Sequence, residues 1–261
     1  MIVIKLGGSL EGSAETAVAS AVQDALRRGW PVVLVHGGGP RISKRLRDAG
    51  IELPFVQGLR HTTEEAMPHV MAALAECNRD IVESLARHGV PVVAFADGEI
   101  VVAKDVGRQR TGEVAGVRVD AVRQAISSGR VPVIAPFGRD AAGWAYNINA
   151  DHAASHIARA LGAARLVFLT DVPGIYRDFK ARDLLLDTTP EELERLLREG
   201  AFGAGMVPKV NAVLHAVRHG VREVWVVDGR DQEAVRMAAM GTNERRAAGT
   251  RLAAHIEGVT A

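Results

Sequence analysis

The sequence predicts an α/β fold, a three-layer αβα sandwich with a mostly parallel central sheet, arranged in two lobes. Short β-branched runs alternate with longer segments rich in Ala, Leu, Arg and Glu along nearly the whole chain. This alternation is typical of a parallel sheet that helices cover on both faces. Glycines recur where these helices should end, just before the next strand or turn, at Gly29, Gly50, Gly89, Gly129 and Gly220.

The predicted elements follow one another without a long linker or an internal repeat. Strands are predicted at Ile2–Lys5, Val32–His36, Val90–Phe95, Ile100–Ala103, Val131–Pro136, Leu166–Thr170 and Glu223–Asp228. Helices are predicted at Ala14–Arg28, Arg41–Ala49, Thr63–His88, Asp120–Ser128, Asp151–Leu161, Pro190–Arg198 and Pro208–His219. The alternation restarts after Gly162-Ala163-Ala164, which predicts an N-terminal lobe, residues 1–163, and a C-terminal lobe, residues 164–261.

Composition excludes several classes of protein. The formal net charge is +1, from 32 basic and 31 acidic residues, and gives no reason to expect a nucleic-acid or membrane partner. Cys77 is the single cysteine, so no intrachain disulfide is possible, as expected in a reducing cytosol. Met1 leads straight into a strand without the features of a secretion signal. We therefore expect a soluble, cytoplasmic protein.

The first two predicted strands both end in glycine turns. Lys5 precedes Gly7 and Gly8, and the second strand runs into Gly37-Gly38-Gly39. Neighbouring parallel strands expose backbone N–H groups at their carboxyl ends, where open α/β sheets bind ligands. Such N–H groups at helix starts favour anions, and a nearby lysine favours phosphate. The sequence therefore predicts binding of a nucleotide or another phosphorylated molecule.

A third polar segment precedes an alanine-rich helix. Asn147, Asn149 and Asp151 alternate with apolar residues, so in an extended segment all three would project to one side. There they could orient a polar substrate and a lysine. The alternative interpretation is helix capping, for which Asn and Asp are the usual residues.

Two further loops carry candidate residues. Thr170 to Tyr176 combines an acidic residue with a Pro-Gly turn, which is either a loop around a nucleotide or a simple turn. Gly203 to Lys209 is a glycine-rich loop that enters a helix with a lysine in its first turn. A cation at that position opposes the helix dipole, which indicates that a bound anion offsets the cost.

Six motifs in order resemble the amino acid kinase family, and specifically its members that phosphorylate N-acetyl-L-glutamate. They are Lys5-Leu-Gly-Gly8, His36-Gly-Gly-Gly-Pro40, Gly58-Leu-Arg60, Asn147-Ile-Asn-Ala-Asp151, Thr170-Asp-Val-Pro-Gly174 and Gly205-Met-Val-Pro-Lys209. The resemblance covers nearly the whole chain. It implies the carbamate kinase-like form of the αβα fold, with the amino-acid substrate and the dimer contact in the N-terminal lobe and ATP in the C-terminal lobe.

The resemblance also implies roles for individual residues. Lys5 and Lys209 would stabilise the transferred phosphoryl group, and Asp151 would hold both lysines. The substrate would be N-acetyl-L-glutamate, converted to its 5-phosphate in arginine biosynthesis. Its α-carboxylate would bind Arg60, whereas Asn147 would fix the other end of its amino-acid moiety. The other implied substrate contacts are Gly38, Gly39 and Asn149.

The implied second substrate is ATP, arriving with Mg²⁺. The residues that resemble its binding site are Gly7, Gly8, Asp171, Val172, Pro173, Gly174, Ile175, Tyr176, Ala201, Phe202 and Gly203. No side chain is assigned to the metal. Because the first strand begins without the additional N-terminal helix of the hexameric members, the resemblance implies a homodimer.

Two alternatives stay open. A sister kinase would act on aminoadipate or glutamate attached to a small acidic carrier protein and would require a basic rim. A non-catalytic nucleotide sensor on the same fold would need no pair of lysines at the transferred phosphate. His152 and His156, four residues apart, invite a zinc interpretation, but without cysteine ligands or a metalloprotease motif we expect solvent-facing or packing histidines.

Overall fold

The computed structural model describes residues 1–10, 12–203, 205–242 and 249–253. The α-helices in these ranges are α1 (Glu15–Arg27), α2 (Gly39–Asp48), α3 (Met67–Arg87), α4 (Asp120–Ser127), α5 (Ala150–Leu161), α6 (Pro190–Arg198), α7 (Val207–Arg218) and α8 (Gln232–Met240). The strands are β1 (Ile2–Leu6), β2 (Val32–His36), β3 (Phe55–Val56), β4 (Leu59–Arg60), β5 (Val92–Phe95), β6 (Val101–Asp105), β7 (Thr111–Val117), β8 (Val131–Ile134), β9 (Phe137–Arg139), β10 (Ala145–Ile148), β11 (Arg165–Thr170), β12 (Tyr176–Asp178), β13 (Asp183–Leu184), β14 (Asp187–Thr188), β15 (Glu223–Asp228) and β16 (Thr250–Ala253).

The main sheet has eight strands in the order β14-β16-β15-β11-β1-β2-β8-β5. From β15 to β5 every neighbouring pair is parallel, whereas β16 runs antiparallel to β15. The prediction of a mostly parallel sheet is therefore confirmed. The antiparallel strand β16 was not predicted.

Helices cover both faces of this sheet, as the side chains of β1 show. Ile2 and Ile4 pack in a core that also contains apolar residues of α1 and α8. Val3, between them, points to the opposite face and joins a core with α5 and α7. Because successive side chains of a strand alternate between faces, a strand buried on both faces is apolar throughout. The three-layer architecture is confirmed.

Three smaller sheets stand beside the main sheet in the described residues, one of them the antiparallel pair β12–β13. Strands β6, β7, β9 and β10 form a closed barrel, and β3 pairs with β4 in a hairpin. The hairpin turns through Gln57 and Gly58, both with positive φ (54° and 78°). Of the barrel strands only β6 was predicted, because the others are short and their apolar residues do not alternate clearly.

The helix-stop glycines behave as predicted, with φ between 70° and 98° at all five positions. Helix α3 begins at Met67, later than the predicted Thr63, because Thr63 accepts a hydrogen bond from the backbone N–H of Ala66 in a preceding turn. Helix α8 was missed, although Asp231 caps it by accepting hydrogen bonds from two backbone N–H groups. An Asp before a Glu-containing segment was the available signal.

Strand β1 lies at the centre of the sheet, between β2 and β11. Its carboxyl end therefore meets the loops that follow both neighbours, which is the ligand-binding edge of an open α/β sheet. The sheet also runs continuously across the predicted lobe boundary, since β1 pairs with β11 along Ile2–Leu6. In the described part of the chain, no helix combines the length and apolarity that crossing a membrane requires.

Candidate active site

The glycine turns after β1 and β2 pack directly against each other. A Cβ atom on Gly8 would lie 2.8 Å from the nitrogen of Gly38 and 2.9 Å from that of Gly39. A Cβ atom on Gly37 would lie 2.8 Å from the nitrogen of Gly8. Side chains are therefore excluded here, and several backbone N–H groups come within a few ångströms of one another at the start of α2. Such a cluster of N–H groups favours an anion.

Gly7 differs from its neighbour in this structure. Its N–H donates to the carbonyl oxygen of Leu169 on β11, at 3.1 Å. A Cβ atom on Gly7 would lie 2.9 Å from the same oxygen. The absence of a side chain on Gly7 therefore allows the turn to pack closely against β11, and its contact with ATP stays a prediction.

Two lysines from distant parts of the sequence meet at one carboxylate. Lys5 Nζ lies 2.8 Å from Asp151 Oδ1, and Lys209 Nζ donates to Asp151 Oδ2 at 2.9 Å. The side chains are 9–11% exposed. The three residues predicted to act together are thus in direct contact, although 146 positions separate Lys5 from Asp151 and 58 separate Asp151 from Lys209.

The charges of the cluster stabilise one another. Burial alone would raise the pKa of Asp151, but Lys209 and Lys5 outweigh it and hold this pKa well below its usual range. Burial lowers the pKa of Lys5, and the positive charge of Lys209 adds to that effect, whereas Asp151 opposes it. The carboxylate therefore stays ionised near neutral pH and balances one of the two positive charges.

The N-termini of two helices place these side chains. Asn149 caps α5 by accepting hydrogen bonds from the N–H groups of Asp151 and His152. Lys209 lies in the first turn of α7, where its contact with Asp151 offsets the unfavourable helix dipole. The predicted alternation, in which every second side chain projects to the same side, thus ends at Asn149, because Asp151 belongs to the helix rather than to the extended segment.

A cavity of about 600 Å³ opens beside Lys5. Its lining joins the glycine turns to the β3–β4 hairpin and to the end of β10. The predicted residues that line it are Lys5, Gly8, Gly38, Gly39, Arg60, Asn147 and Asn149. Its size fits a small organic acid, since ligand pockets typically measure ~300–1,000 Å³.

Arg60 is held at the wall of this cavity. Its Nη2 donates to the hydroxyl of Ser43 at 2.6 Å and to the carbonyl oxygen of Gly39 at 3.3 Å, both on α2. Its guanidinium also lies 4.6 Å from the ring centroid of Phe55. Burial lowers the pKa of Arg60 from its ordinary value, but an arginine remains charged. The planar guanidinium suits a carboxylate.

Asn147 is connected to Arg60 through two threonines that sequence reasoning missed. Its side-chain amide donates to the hydroxyl of Thr62 at 2.9 Å. The hydroxyls of Thr62 and Thr111 both donate to the carbonyl oxygen of Arg60. Isolated threonines carry no sequence signal for this arrangement, which depends on three strands meeting.

His36 ends β2 and precedes the second glycine turn, and its supporting role there was not predicted. It is 1% exposed, with Nδ1 2.8 Å from the carbonyl oxygen of Gly37 and Nε2 3.1 Å from the amide nitrogen of Asn78. Burial lowers the pKa of His36 to about 4, although the Gly37 hydrogen bond opposes this effect. The neutral imidazole therefore donates to Gly37 and holds the second glycine turn in place.

The loop after β11 contains most of the predicted nucleotide residues. The carbonyl oxygen of Asp171 accepts a hydrogen bond from Arg230 at 2.8 Å. A Cβ atom on Gly174 would lie 2.5 Å from Thr250 Oγ1, so the loop packs tightly on β16. Ile175 donates its N–H to the same hydroxyl at 2.7 Å. The loop lies at the same sheet edge as Lys5, because β11 and β1 are parallel neighbours.

The predicted nucleotide residues Ala201–Gly203 lead into α7. The carbonyl oxygen of Gly203 accepts hydrogen bonds from Met206 at 2.9 Å and from Val207 at 3.2 Å. Within the described residues, neither this segment nor 171–176 lines the 600 Å³ cavity. Gly8, which is also predicted to contact ATP, does line this cavity, so the two predicted sets of residues meet at the glycine turns.

His156 of α5 lies in a stack of three histidine rings. His156 stacks on His215 of α7, with ring centroids 4.1 Å apart, and His215 stacks on His219 at the same distance. Across the ranges that the structure covers, no group of three or more His, Cys, Asp or Glu side chains is placed to hold a metal ion.

Known proteins resemble this chain closely. A family model for the amino acid kinase family matches residues 1–228. Acetylglutamate kinase from Geobacillus stearothermophilus is 38% identical over 235 residues, which cover 88% of this chain and 90% of that enzyme. Acetylglutamate kinase from Frankia alni is 41% identical over 250 residues, covering 90% of this chain and 72% of that enzyme.

Solved structures agree with the sequence relatives. The crystal structure of smu.665 from Streptococcus mutans UA159 superposes with a TM-score of 0.85 at 25% identity, covering 97% of this chain and 98% of that one. The family match spans both sets of predicted site residues, from Lys5 through Lys209. This chain belongs to the amino acid kinase family.

Proposed function

We propose that this protein is an ATP-dependent kinase that phosphorylates the γ-carboxylate of N-acetyl-L-glutamate in arginine biosynthesis. The observation that carries this proposal is the Lys5–Asp151–Lys209 cluster at one end of a cavity whose wall holds Arg60. Such an arrangement offers two positive charges to a phosphoryl group and a separate guanidinium to the acceptor. Its acetylglutamate kinase relatives, 38–41% identical, support the identity of the acceptor.

The acceptor binds in the 600 Å³ cavity. Arg60 pairs with the α-carboxylate, and Asn147 contacts the amino-acid moiety, which leaves the γ-carboxylate directed toward Lys5. Because this carboxylate is already ionised near neutral pH, no general base is required. One of its oxygens attacks the γ-phosphorus, the bond to the bridging oxygen of ADP breaks, and an acyl phosphate forms.

The protein accelerates this step by positioning and by charge, as is usual in phosphoryl transfer. Two anions must approach each other, and Lys5 and Lys209 reduce their repulsion. The N-termini of α2, α5 and α7 meet around the site and add the positive ends of their dipoles. Asp151 fixes both ammonium groups before substrate binds.

Mg²⁺ enters as part of the nucleotide. Both oxygens of Asp151 are engaged by lysines, and the described residues contain no cluster of three potential metal ligands. We therefore propose that the ion is held chiefly by the ATP phosphates, whose charge it neutralises, and we assign no step to a protein ligand of the metal.

The carrier-linked alternative is less well supported by the surface near the cavity. A small acidic carrier would need unpaired cations around the opening. Two arginines in segments that contribute to the cavity lining, one on α2 and one just before β7, already have acidic partners. Arg45 pairs with Glu76 at 2.6 Å, and Arg110 pairs with Glu64 at 3.1 Å. Because these two arginines are already paired, they do not form a basic rim for a carrier, which favours a free small acid as the acceptor.

Coupled detection of ADP with a panel of acceptors tests the proposal. The panel contains N-acetyl-L-glutamate, N-acetyl-L-2-aminoadipate and a carrier-linked glutamate, and hydroxylamine trapping identifies the acyl phosphate. We expect the highest kcat/KM with N-acetyl-L-glutamate. A preference of more than tenfold for the carrier-linked acceptor would contradict the proposal, and ATP binding without turnover of any acid would favour the sensor.

A further inference from the structure

Two buried threonines link the residue proposed to hold the α-carboxylate to the strand that leads into the catalytic helix. Thr62 is fully buried and Thr111 is 7% exposed, and Thr111 also contributes to the wall of the cavity. Thr62 follows the β3–β4 hairpin that carries Arg60, whereas Thr111 begins β7 of the barrel. Neither residue belongs to a motif recognised in the sequence.

Their hydrogen bonds form a closed network. Thr111 Oγ1 donates to the carbonyl oxygen of Arg60 at 2.8 Å and accepts from the backbone N–H of Thr62 at 2.8 Å. Thr62 Oγ1 donates to the same carbonyl oxygen at 3.3 Å and accepts from the amide of Asn147 at 2.9 Å. Each hydroxyl thus acts as donor and acceptor at once, so replacing either leaves a buried polar group without its partner.

Backbone pairing strengthens the same junction. The N–H of Arg110 donates to the carbonyl oxygen of Thr62 at 2.9 Å, and the N–H of Asn147 donates to the carbonyl oxygen of Arg110 at 2.7 Å. Asn147 is also paired with Thr111 in the barrel. The hairpin, β7 and β10 are therefore tied together at one point beside the cavity.

This junction connects the segment that carries Arg60 with the strand that leads to the lysine cluster. Strand β10 ends at Ile148, Asn149 caps α5, and Asp151 follows in the first turn of that helix. Only four positions separate Asn147 from Asp151, so the strand end is close to the point of phosphoryl transfer. The threonines thus tie the backbone of Arg60 to the strand that leads to Asp151.

On the basis of the function proposed above, we propose that Thr62 and Thr111 are positioning residues that determine which length of N-acylated amino dicarboxylic acid is phosphorylated. An acid one methylene shorter, gripped by Arg60, falls short of the lysines. The side-chain carboxylate of an acid one methylene longer extends past the lysines. When a threonine hydroxyl is removed, Arg60 can shift, so the enzyme discriminates less between the shorter acid, the glutamate compound and the longer acid.

The experiment compares Thr62→Val and Thr111→Val with the wild type, using N-acetyl-L-aspartate, N-acetyl-L-glutamate and N-acetyl-L-2-aminoadipate. Valine keeps the shape of threonine but removes the hydroxyl. We expect kcat/KM for the glutamate compound to fall about 10- to 100-fold and its selectivity over the two homologues to narrow at least tenfold. The KM for ATP should stay within about twofold.

Serine variants at the same positions keep the hydroxyl and should retain selectivity within about threefold. Thr188→Val is the matched control, because Thr188 is a buried threonine whose hydroxyl bonds Glu192 away from the cavity. It should leave selectivity unchanged. Melting curves identify a valine variant that does not fold. In that case the selectivity of the serine variants is the test, and a loss of selectivity in a serine variant contradicts the positioning role.

A proportional fall in activity with all three acids would mean a general structural role and would overturn the inference. Failure of the proposed function gives a different result. If the wild type phosphorylates another acceptor, the same variants are compared on that acceptor and on its homologues one methylene shorter and longer. If calorimetry shows that the wild type binds none of the acids, both the function and the inference are wrong.

Discussion

Replacing Lys209 by alanine tests the proposed catalytic cluster most directly. The ammonium group lies 2.9 Å from Asp151 Oδ2, and both side chains are 11% exposed. Water therefore cannot take over its role without rearrangement. Removing one preorganised donor to developing charge typically costs ~3–4 kcal/mol, or roughly 100- to 1000-fold in rate. We expect kcat to fall by at least 100-fold, and a similar loss for Lys5→Ala.

Stability should fall less than activity. Removing one partner of a buried ion pair typically costs ~3–5 kcal/mol because the other charge is left alone. Here Lys5 still compensates Asp151 at 2.8 Å, so we expect the free energy of unfolding to decrease by less than about 3 kcal/mol. The folded variant should still bind ATP, since the predicted nucleotide loops do not depend on this side chain.

The assay combines steady-state kinetics, calorimetric binding of ATP and urea unfolding. Lys44→Ala is the matched control, because that lysine is 71% exposed and pairs with Asp48 on the surface of α2. It should retain wild-type turnover. A kcat for Lys209→Ala within tenfold of the wild type, measured on folded protein, would refute the proposed role of the cluster.

Three further predictions concern the acceptor, the glycine turns and pH. Arg60→Ala should raise the KM for N-acetyl-L-glutamate roughly 10- to 150-fold, because charge-assisted hydrogen bonds contribute ~1.5–3 kcal/mol. The KM for 4-acetamidobutyrate, which lacks the α-carboxylate, should be unaffected. Equal losses with both acids would contradict the assignment of Arg60 to the α-carboxylate. Gly8→Ala should lower kcat at least tenfold, since the added Cβ atom would lie 2.8 Å from the nitrogen of Gly38. Gly116→Ala is the control, because its Cβ atom would have one side-chain atom of Val102 nearby, at 3.9 Å, and this variant should remain active in the same ADP assay. The free energy of unfolding, measured in urea, should decrease from pH 6.5 toward 4. The reason is that His36 takes up a proton below its usual pKa in the unfolded chain, whereas the buried imidazole of the folded protein stays neutral down to a pKa of about 4. If a His36→Gln variant shows the same dependence of stability on pH, His36 is not the cause.

Local sequence features were sufficient to predict the central fold. The strands β1, β2, β8, β11 and β15 are four to six residues long and mostly apolar, as expected for strands buried on both faces. The helices between them carry their own stop signals. Parallel strands connected by helices then require a covered sheet, so the three layers followed from the pattern alone.

The predicted site residues were also drawn from local motifs, and the structure brings the most distant of them together. Glycine turns, a lysine after a strand and a lysine at a helix start are each visible in the sequence. Their convergence follows from the order of strands, since parallel neighbours present their carboxyl ends at one edge. The sequence could not show that Gly7 donates its N–H to Leu169, because that bond requires β11 to lie beside β1.

The sequence by itself determined the class of fold, the glycine turns and the residue types that suit phosphoryl transfer, because these depend on local periodicity and on chemistry. The tertiary structure alone decided the barrel, the buried support of Gly37 by His36 and the junction of Thr62 and Thr111. Each of these depends on contacts between segments far apart in the chain. A threonine or histidine acquires such a role only when folding removes water from its polar atoms and leaves one partner within reach.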